Sequence, residues 1–431
     1  MRIAILAPNL YSGGGVPRVA RFLYDTVLRS GGQATLFSLA TAARDRLSRR
    51  LVAPKSWFTQ PSLRPNRWND VDIIEAGAPL AELEFCRYRP SRCLTEKLAE
   101  FDLVQVVSGY PAWAGVARNV KRPLCLQVAT LAAVERKGQH ARDHSILAPW
   151  RRGMTQITAR LDRRYVRLAD RVFVENDWMR QWAERECGRK RVVFAPPGVD
   201  CDRFWPQPTR TRRYLLCFGR LGDERKNHGL LLRAYARIVA LLPDAPPLVI
   251  AGRGKFPDAL KQLQAELGLR NRVEIRENVP EEELPALYAG AAVFLLSSDE
   301  EGLGLVLLEA MACGTPVVST DCGGPAEIVV PGTGHLVPIG DAEMLAAKTV
   351  DLLSDADGLA AAGAAARRRM EEHFSLEKTG ERFIKVYREL ISGGKTFDRS
   401  MPLYVPAKGP LCAERGAGLG PPANYFAQDG K

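Results

Sequence analysis

Apolar runs alternate with amphipathic stretches along most of the chain. The apolar run 2–8 ends in a glycine turn, and residues 16–30 then carry apolar side chains at helical spacing. A second apolar run follows at 33–40. Strand, glycine turn, helix and strand in this order predict a doubly wound α/β domain. Further strands are predicted at 101–108 and 123–130, whereas the arginine- and proline-rich residues 42–100 give no clear pattern.

The alternation stops in the Pro-rich, charged segment 191–213 and then restarts. Apolar runs predict the strands of a second parallel α/β sheet, with helices of similar length between them, at 214–222, 247–254, 272–278, 292–298 and 315–320. The predicted domains are therefore 1–205 and 206–374. A length of 431 residues agrees with two domains. The last residues, 393–431, are rich in glycine and proline without periodicity, which predicts an irregular or disordered tail.

The net charge, the cysteines and the lengths of the apolar segments limit which classes of function the chain can have. A formal net charge of +12 favours acidic partners, which are phosphorylated ligands, an anionic membrane or nucleic acid, although solvated arginines explain it equally well. Nine cysteines without a Cys-x-x-Cys motif are typical of reduced thiols in a cytosolic protein and argue against a zinc site. The apolar N-terminal run is too short for a signal peptide, and no segment approaches the length of a membrane-spanning helix.

The basic stretch 151–171 is a second feature that is compatible with membrane binding. It is predicted to be a helix with Ile157, Leu161, Tyr165 and Leu168 on one stripe and six arginines around them. An interfacial helix has this pattern. A helix that covers the core with its apolar stripe and exposes its arginines has the same pattern, and the sequence does not separate the two.

Residues 300–313 combine carboxylates with glycines. Glu301 is predicted to lie in a loop after a strand, and Gly302 and Gly304 precede a helix that carries Glu309. Glycines at a helix N-terminus let backbone N–H groups approach an anion such as a phosphate. A glutamate among apolar residues needs a partner, and a ribose diol offers two donors to Glu309. The alternative is a loop acid and a surface glutamate at a chance spacing.

Two further clusters suit a phosphorylated ligand. Arg220 and Lys226 follow the first strand of the second domain, at the edge where open α/β sheets bind ligands. Together with the 302–304 loop they are expected to neutralise a diphosphate, although a solvated basic turn is a common alternative. Gly14 and Gly15 lie in a glycine turn after the first strand, without the spacing of a dinucleotide-binding motif or a Walker lysine.

The motifs taken together resemble those of a known enzyme family. The segments that carry the resemblance are "RLADRVFVENDWM", "VVFAPPGVDCDRF", "GRLGDERKNHGLLLRAYARI" and "VPEEELPALYAGAAVFLLSSDEEGLGLVLLEAMACGTPVVSTDCGGPAEIV". They are similar to the retaining glycosyltransferases of family 4, whose GT-B fold has two Rossmann-like doubly wound parallel-sheet domains facing a cleft. The resemblance is dense from about 165 to 390 and thinner in the N-terminal half.

The resemblance implies an activity: metal-independent transfer of a sugar, with retention, from a nucleoside-diphosphate sugar to a hydroxyl of a glycan or lipid-linked acceptor. No cofactor or metal is implied, because a basic pair takes the metal's role. It also implies a role in cell-surface polysaccharide or glycoconjugate synthesis. The cysteines favour a cytoplasmic protein, and the basic first half favours a peripheral contact to an anionic membrane. Nucleic acid is not expected as a partner, because it would not explain the carboxylates and no recognition module is visible. The final helix, 375–392, is expected to cross back to the first domain.

The resemblance also implies roles for single residues. Arg220 and Lys226 match the basic pair on the donor diphosphate. Glu301 and Glu309 match the two glutamates of the family's Glu-x7-Glu motif, which lie near the transferred sugar and on the ribose. Other matching positions contact the donor through the backbone; they are Gly14 and Gly15 at the diphosphate, Gly302, Leu303 and Gly304 at sugar and phosphate, and Val279 at the base.

One departure from the family pattern affects the first domain. Many relatives have a histidine that contacts the donor sugar where this chain has Ala129 and Thr130. Gln127 or Thr130 is expected to replace it, or the donor sugar lacks the group that a histidine holds. The missing histidine also leaves open the alternative that the chain is non-catalytic and binds sugar nucleotides or stabilises a partner enzyme. A sugar-nucleotide epimerase or a phosphorylase of the same fold is a further alternative.

Overall fold

The computed structural model describes residues 1–12, 14–143, 145–207 and 213–393. All of the predicted tail 393–431 except its first residue lies outside these ranges. The described chain forms two α/β domains, each built around one mainly parallel sheet, which confirms the predicted fold class.

The first sheet has eight strands in the order β3-β4-β2-β1-β5-β6-β7-β8. The strands are β1 (Arg2–Pro8), β2 (Gln33–Leu39), β3 (Leu63–Trp68), β4 (Val71–Ala76), β5 (Leu103–Ser108), β6 (Leu124–Val128), β7 (Arg171–Val174) and β8 (Val192–Phe194). All neighbours are parallel except β3 and β4, which form an antiparallel edge. Strand β1 is buried from Ile3 to Ala7, as expected of a parallel strand covered by helices on both faces.

The second sheet has six parallel strands in the order β11-β10-β9-β12-β13-β14. The strands are β9 (Tyr214–Arg220), β10 (Leu248–Arg253), β11 (Val273–Glu277), β12 (Ala291–Leu296), β13 (Val317–Thr320) and β14 (Gly334–Val337). The order reverses between β9 and β12, and ligands bind open α/β sheets at such a switch point, at the carboxyl ends of the strands.

Helices cover both sheets. Those of the first domain are α1 (Gly15–Arg29), α2 (Glu84–Arg87), α3 (Arg92–Leu98), α4 (Ala132–Glu135), α5 (Lys137–Arg142), α6 (Ala148–Tyr165) and α7 (Asp177–Cys187). Those that follow are α8 (His228–Leu241), α9 (Asp258–Glu266), α10 (Leu284–Ala289), α11 (Leu305–Ala312), α12 (Pro325–Ile328), α13 (Ala342–Ser354), α14 (Ala356–Arg369) and α15 (Leu376–Ser392). Short 3₁₀ helices lie at 54–58, 111–117, 166–168, 189–191, 224–226 and 281–283, and a π-helical turn at 370–374.

The last helix packs in the core of the first domain, although it comes last in the chain. Phe383 of α15 is fully buried, and its ring lies 4.5 Å from that of Phe173 and 5.8 Å from that of Phe22. Tyr387 donates a hydrogen bond to Gln105 Oε1 (2.9 Å). Helix α15 therefore ties the end of the second domain to the first sheet.

Helix α6 and its 3₁₀ extension occupy most of the predicted helix 151–171. Tyr165 is buried in the first-domain core, and Leu161 and Leu168 pack against the same core. Six of the seven arginines of this stretch are exposed, and Arg171 is half-buried. The stripe thus covers the core, and it is the basic face of the helix that meets solvent. Over the described part of the chain, no helix combines the length and the apolar character needed to span a bilayer.

Candidate functional site

Lys226 and Glu301 meet at the carboxyl ends of β9 and β12. Lys226 ends the 3₁₀ helix that follows β9, and Glu301 lies in the loop between β12 and α11. Lys226 Nζ donates a hydrogen bond to Glu301 Oε1, and Ser298 Oγ donates to the same oxygen at 2.7 Å. Both charged side chains are largely buried. This arrangement differs from a solvated basic turn, because the ammonium group is held against one carboxylate.

Arg220 lies at the exposed end of β9 and has its own partner. Its guanidinium pairs with Asp223 Oδ2 at 2.5 Å, and about half of its side chain is exposed. Burial alone raises the pKa of Asp223, but the hydrogen bonds and charges of Arg225 and Arg220 lower it to about 2. Arg220 and Lys226 therefore each form an ion pair with a different carboxylate, Asp223 and Glu301.

Glu309 is buried and uses both carboxylate oxygens. Arg18 donates to Oε1 at 2.6 Å, and the hydroxyl of Tyr288 donates to Oε2 at 2.7 Å. Arg18 belongs to α1 of the first domain, so this ion pair crosses between the domains. Glu309 is thus not a surface glutamate. The sequence analysis predicted neither partner. Arg18 could have been found, because it lies one helical turn after the Gly14-Gly15 turn and therefore near the same site.

The Gly302–Gly304 loop is pressed against the first domain. Asn176 Nδ2 donates to Gly302 O at 2.6 Å and to Ala129 O at 3.1 Å. A Cβ added at Gly302 would lie 2.6 Å from Ala129 Cβ, so only glycine fits there. Gly304 has φ +94° and caps α11, as the loop predicted. Leu303 is buried.

The backbone of Glu301 is also engaged inside the second domain. Its N–H donates to Cys322 O at 3.1 Å, and its carbonyl accepts from Gly324 N–H at 3.0 Å. The loop is therefore fixed by main-chain hydrogen bonds to the segment after β13. The Glu301 side chain keeps its position relative to Lys226 because the backbone that carries it is held on both sides.

The glycine turn of the first domain reaches the same place. Gly14 has φ +123°, a conformation that side-chain-bearing residues rarely adopt. A Cβ on Gly15 would lie 3.9 Å from Leu305 Cδ1, the first residue of α11. The turn therefore faces the N-terminus of that helix across the cleft. Val279, two residues after β11, is half-buried and packs against the second-domain core.

Gln127 and Thr130 are buried on the first-domain side. Gln127 Nε2 donates to Glu175 Oε1 at 2.9 Å, and burial raises the pKa of Glu175 to about 7. Gln127 Oε1 is buried and has no hydrogen-bond partner among the described residues. The backbone N–H of Thr130 donates to Gly109 O at 2.8 Å.

An arginine that the sequence reasoning did not single out stands between the domains. Arg225 pairs with Asp223 at 2.9 Å and Glu300 at 2.8 Å in its own domain, and with Glu135 of the first domain at 3.7 Å. Burial raises the pKa of Glu300, while the charge of Arg225 opposes that rise. The sequence carried a signal for it, because Arg225 directly precedes Lys226 and its partner Glu300 directly precedes Glu301.

Both domains match models of known protein families. Residues 13–203 match the model described as "Glycosyltransferase Family 4", and residues 202–369 match the one described as "Glycosyl transferases group 1".

Similar curated proteins carry related names. A GDP-mannose-dependent alpha-(1-6)-phosphatidylinositol monomannoside mannosyltransferase of Mycolicibacterium smegmatis is 36% identical over 217 residues, 46% of this chain and 55% of the relative. A D-inositol 3-phosphate glycosyltransferase of Segniliparus rotundus is 27% identical and covers 91% of this chain and 90% of the relative. The chain spans about half the length of several mannosyltransferases that it matches.

Solved structures share the fold. A sucrose-phosphate synthase from Thermosynechococcus elongatus superposes with a TM-score of 0.65 at 21% identity, covering 91% of this chain and all of that one. Anabaena HepE in complex with UDP and glucose gives 0.64 at 18% identity, covering 90% of this chain and all of that one. At these identities the likeness supports the two-domain fold alone.

Proposed function

The chain belongs to glycosyltransferase family 4, and from this premise we propose that it transfers a sugar from a nucleoside-diphosphate sugar to a hydroxyl group. The single observation that carries the proposal is the Lys226–Glu301 pair at the switch point of the second sheet, beside the loop that begins α11. Cations placed there oppose the charge that grows on a leaving diphosphate, which is usually the largest catalytic contribution.

The proposed chemistry places each group in a role. Lys226 and Arg220 bind the diphosphate, Glu301 holds the transferred sugar and Glu309 the ribose. Gly14, Gly15, Gly302, Leu303 and Gly304 contribute backbone contacts to sugar and phosphate, and Val279 contributes one to the base. The sugar departs with oxocarbenium character, and the acceptor hydroxyl attacks on the face that the diphosphate leaves, with a phosphate oxygen taking its proton. Configuration is then retained, and neither a metal nor a cofactor is required.

The contacts between the domains also matter for the chemistry, because the reaction requires that water be excluded from the cleft. Closing the cleft around the donor excludes water, which prevents simple hydrolysis. Glu309 meets Arg18, and Gly302 meets Asn176, so the closed arrangement has polar contacts of its own. For the donor to use Glu309, the Arg18–Glu309 pair has to rearrange around the ribose hydroxyls.

The acceptor is proposed to be a glycan or a lipid-linked sugar on the cytoplasmic face of an anionic membrane, in the synthesis of cell-surface polysaccharide or glycoconjugate. One curated relative is named for a phosphatidylinositol mannoside acceptor and another for an inositol phosphate. Those names give the first acceptors to test, and GDP-mannose and the UDP sugars give the first donors.

The test begins with thermal unfolding in the presence of common nucleotide sugars, since a ligand that binds the native state raises the apparent stability. The stabilising donor is then incubated with each acceptor, with and without EDTA, and the anomeric configuration of the product is read by NMR. Glu309→Gln should weaken stabilisation by the donor, while the exposed Glu266→Gln on α9 should not. If no nucleotide sugar stabilises the protein, glycosyl transfer is refuted.

A second function is favoured by one observation, the Ala129-Thr130 sequence where relatives carry a histidine. A chain that binds a donor in this cleft and transfers no sugar to any acceptor would fit a sugar-nucleotide-binding or partner-stabilising protein. The two functions separate in the same experiment, because stabilisation by a donor without product formation supports only the second.

A further inference from the structure

Large apolar side chains are exposed in two segments of the first domain, 51–58 and 146–150. Of the twelve large apolar side chains that are exposed among the described residues, seven lie here; we call them the apolar rim, and they are Leu51, Val52, Trp57, Phe58, Ile146, Leu147 and Trp150. Phe58 is 92% exposed and Ile146 is 96% exposed. Single exposed apolar residues scattered over a surface are ordinary, whereas seven within two short segments are not a scattered set.

Both segments of the apolar rim lie at one edge of the first sheet. Segment 51–58 belongs to the connection after β2, and 146–150 to the connection after β6. Strands β2, β1, β5 and β6 are parallel neighbours in that order. Their carboxyl ends therefore share one edge, which is the edge that carries the Gly14-Gly15 turn and Ala129 and faces the second domain.

The two segments are also fastened to one short piece of chain. Glu82 accepts from Leu51 N–H at 3.0 Å and pairs with Arg50 at 3.5 Å. Glu84, two residues on, accepts from Arg136 at 3.1 Å and from Thr158 of α6 at 3.3 Å. Residues 82–84 thus hold the 51–58 segment on one side and the helix that carries Trp150 on the other.

The charge around the apolar rim is basic. Among the side chains that the structure describes in 44–55 and 137–152, the exposed cations are Arg44, Arg46, Lys55, Lys137, Arg151 and Arg152. Arg151 is paired with Asp143 at 2.8 Å. Aromatic side chains settle at the headgroup level of a bilayer, and lysine or arginine beside them is attracted to anionic lipids. The surface of a second copy would present the same positive charge.

We propose that the apolar rim docks this protein on an anionic lipid bilayer. Trp57, Phe58, Ile146 and Trp150 enter the headgroup layer, and the flanking cations pair with lipid phosphates. The surface differs from the apolar stripe of α6, which is turned into the core. The inference rests on the peripheral membrane contact of the proposed function, and it does not depend on sugar transfer. It places the mouth of the cleft beside the membrane, where a lipid-linked acceptor would enter.

The test is flotation of the full chain with phosphatidylcholine vesicles that contain or lack phosphatidylglycerol, at low and at high salt. Phe58→Ser combined with Ile146→Ser should lower binding to the anionic vesicles about tenfold, because both side chains lose their insertion energy. The matched control is Leu241→Ser with Met344→Ser, which removes two exposed apolar side chains from the second domain and should leave binding unchanged.

Each outcome decides the proposal. Binding to anionic vesicles that is weakened by salt and by the rim variant, but not by the control, supports it. Equal flotation of the rim variant and the wild type overturns it. A wild-type dimer in light scattering that the rim variant turns into a monomer, without vesicle binding, also overturns it and assigns the rim to a second copy. Donor stabilisation is measured on the same samples, so a failure of membrane docking is distinguished from a failure of sugar transfer.

Discussion

At the scale of single residues, the contact between Lys226 and Glu301 gives the candidate site its defining charge pair. The ammonium group is largely buried, and its packing neighbours include Gly219, where an added Cβ would lie 3.3 Å from Lys226 Cε. A side chain held in this way is preorganised, so little reorganisation is needed when charge develops on a leaving group.

Lys226→Met should therefore reduce kcat for sugar transfer by at least about a hundredfold, since loss of one preorganised donor typically costs that much. Methionine keeps the length of the side chain and removes the charge. The measurement is initial rate at saturating donor. Lys255→Met is the control, because Lys255 is exposed and lies 3.8 Å from its partner Asp258. A loss of less than tenfold would mean that Lys226 is not directed at the reacting phosphates.

Glu175 gives a second prediction at this scale, about pH. Its pKa is raised to about 7 by burial, whereas an unfolded glutamate has a pKa of about 4.3. Between about pH 4.3 and pH 7 the folded protein keeps Glu175 protonated while the unfolded chain releases the proton. The free energy of unfolding therefore falls as the pH rises through this range, and it levels off above about pH 7. The loss is about 4 kcal/mol at most.

Glu175→Gln should remove this part of the pH dependence, because the amide oxygen still accepts from Gln127 and carries no charge. Urea unfolding of wild type and variant at pH 5 and pH 8 measures it. The matched control is Glu266→Gln, since Glu266 also accepts from a glutamine amide at 2.9 Å but is exposed. Equal pH dependence of wild type and Glu175→Gln would show that Glu175 is charged in the folded protein.

At the scale of secondary-structure elements, helices α1 and α11 face each other through Arg18 and Glu309. The ion pair is partly buried, and it occupies a carboxylate oxygen that the ribose would use. A donor has to displace this contact or share it. Solvent-exposed ion pairs contribute up to about 1 kcal/mol; taken as the minimum for this more buried pair, that corresponds to roughly fivefold in affinity.

Arg18→Met should accordingly tighten donor binding about fivefold, as measured by calorimetry with the donor found in the stability screen. Arg21→Met on the next turn of α1 is the control, because Arg21 pairs with Asp25 and Asp70 within the first domain. Weaker donor binding by Arg18→Met would indicate instead that Arg18 itself contacts the nucleotide.

The elements also show what the sequence does and does not predict. Strand β1, helix α1 and the glycine-capped start of α11 follow from local patterns, because periodicity and backbone preference act within a few residues. Residues 42–100 gave no pattern because β3 is a mostly exposed antiparallel edge strand and the helices there are short. The Arg18–Glu309 contact joins positions 291 residues apart, and no local signal specifies such a pairing.

At the scale of the whole molecule, Asn176 is a first-domain residue whose side chain forms a hydrogen bond to the second domain. Its Oδ1 caps α7 by accepting from Met179 N–H at 2.9 Å, while its Nδ2 donates to the carbonyls of Ala129 and Gly302. The cap holds the side chain in place, and the amide N–H group bridges the cleft. One residue therefore couples the first-domain helix to the loop that carries Glu301.

Asn176→Asp separates the two roles, because an aspartate still caps the helix but turns a donor into an acceptor facing two carbonyl oxygens. The variant should open the cleft, seen as a larger radius of gyration in small-angle X-ray scattering, and should lower kcat by more than about tenfold through lost closure. Asp341→Asn makes the reverse change at the N-cap of α13, away from the cleft, and should alter neither quantity. An Asn176→Asp protein with the scattering profile of the wild type would show that the domains are held together by their other contacts, among them Arg18 with Glu309 and Arg225 with Glu135.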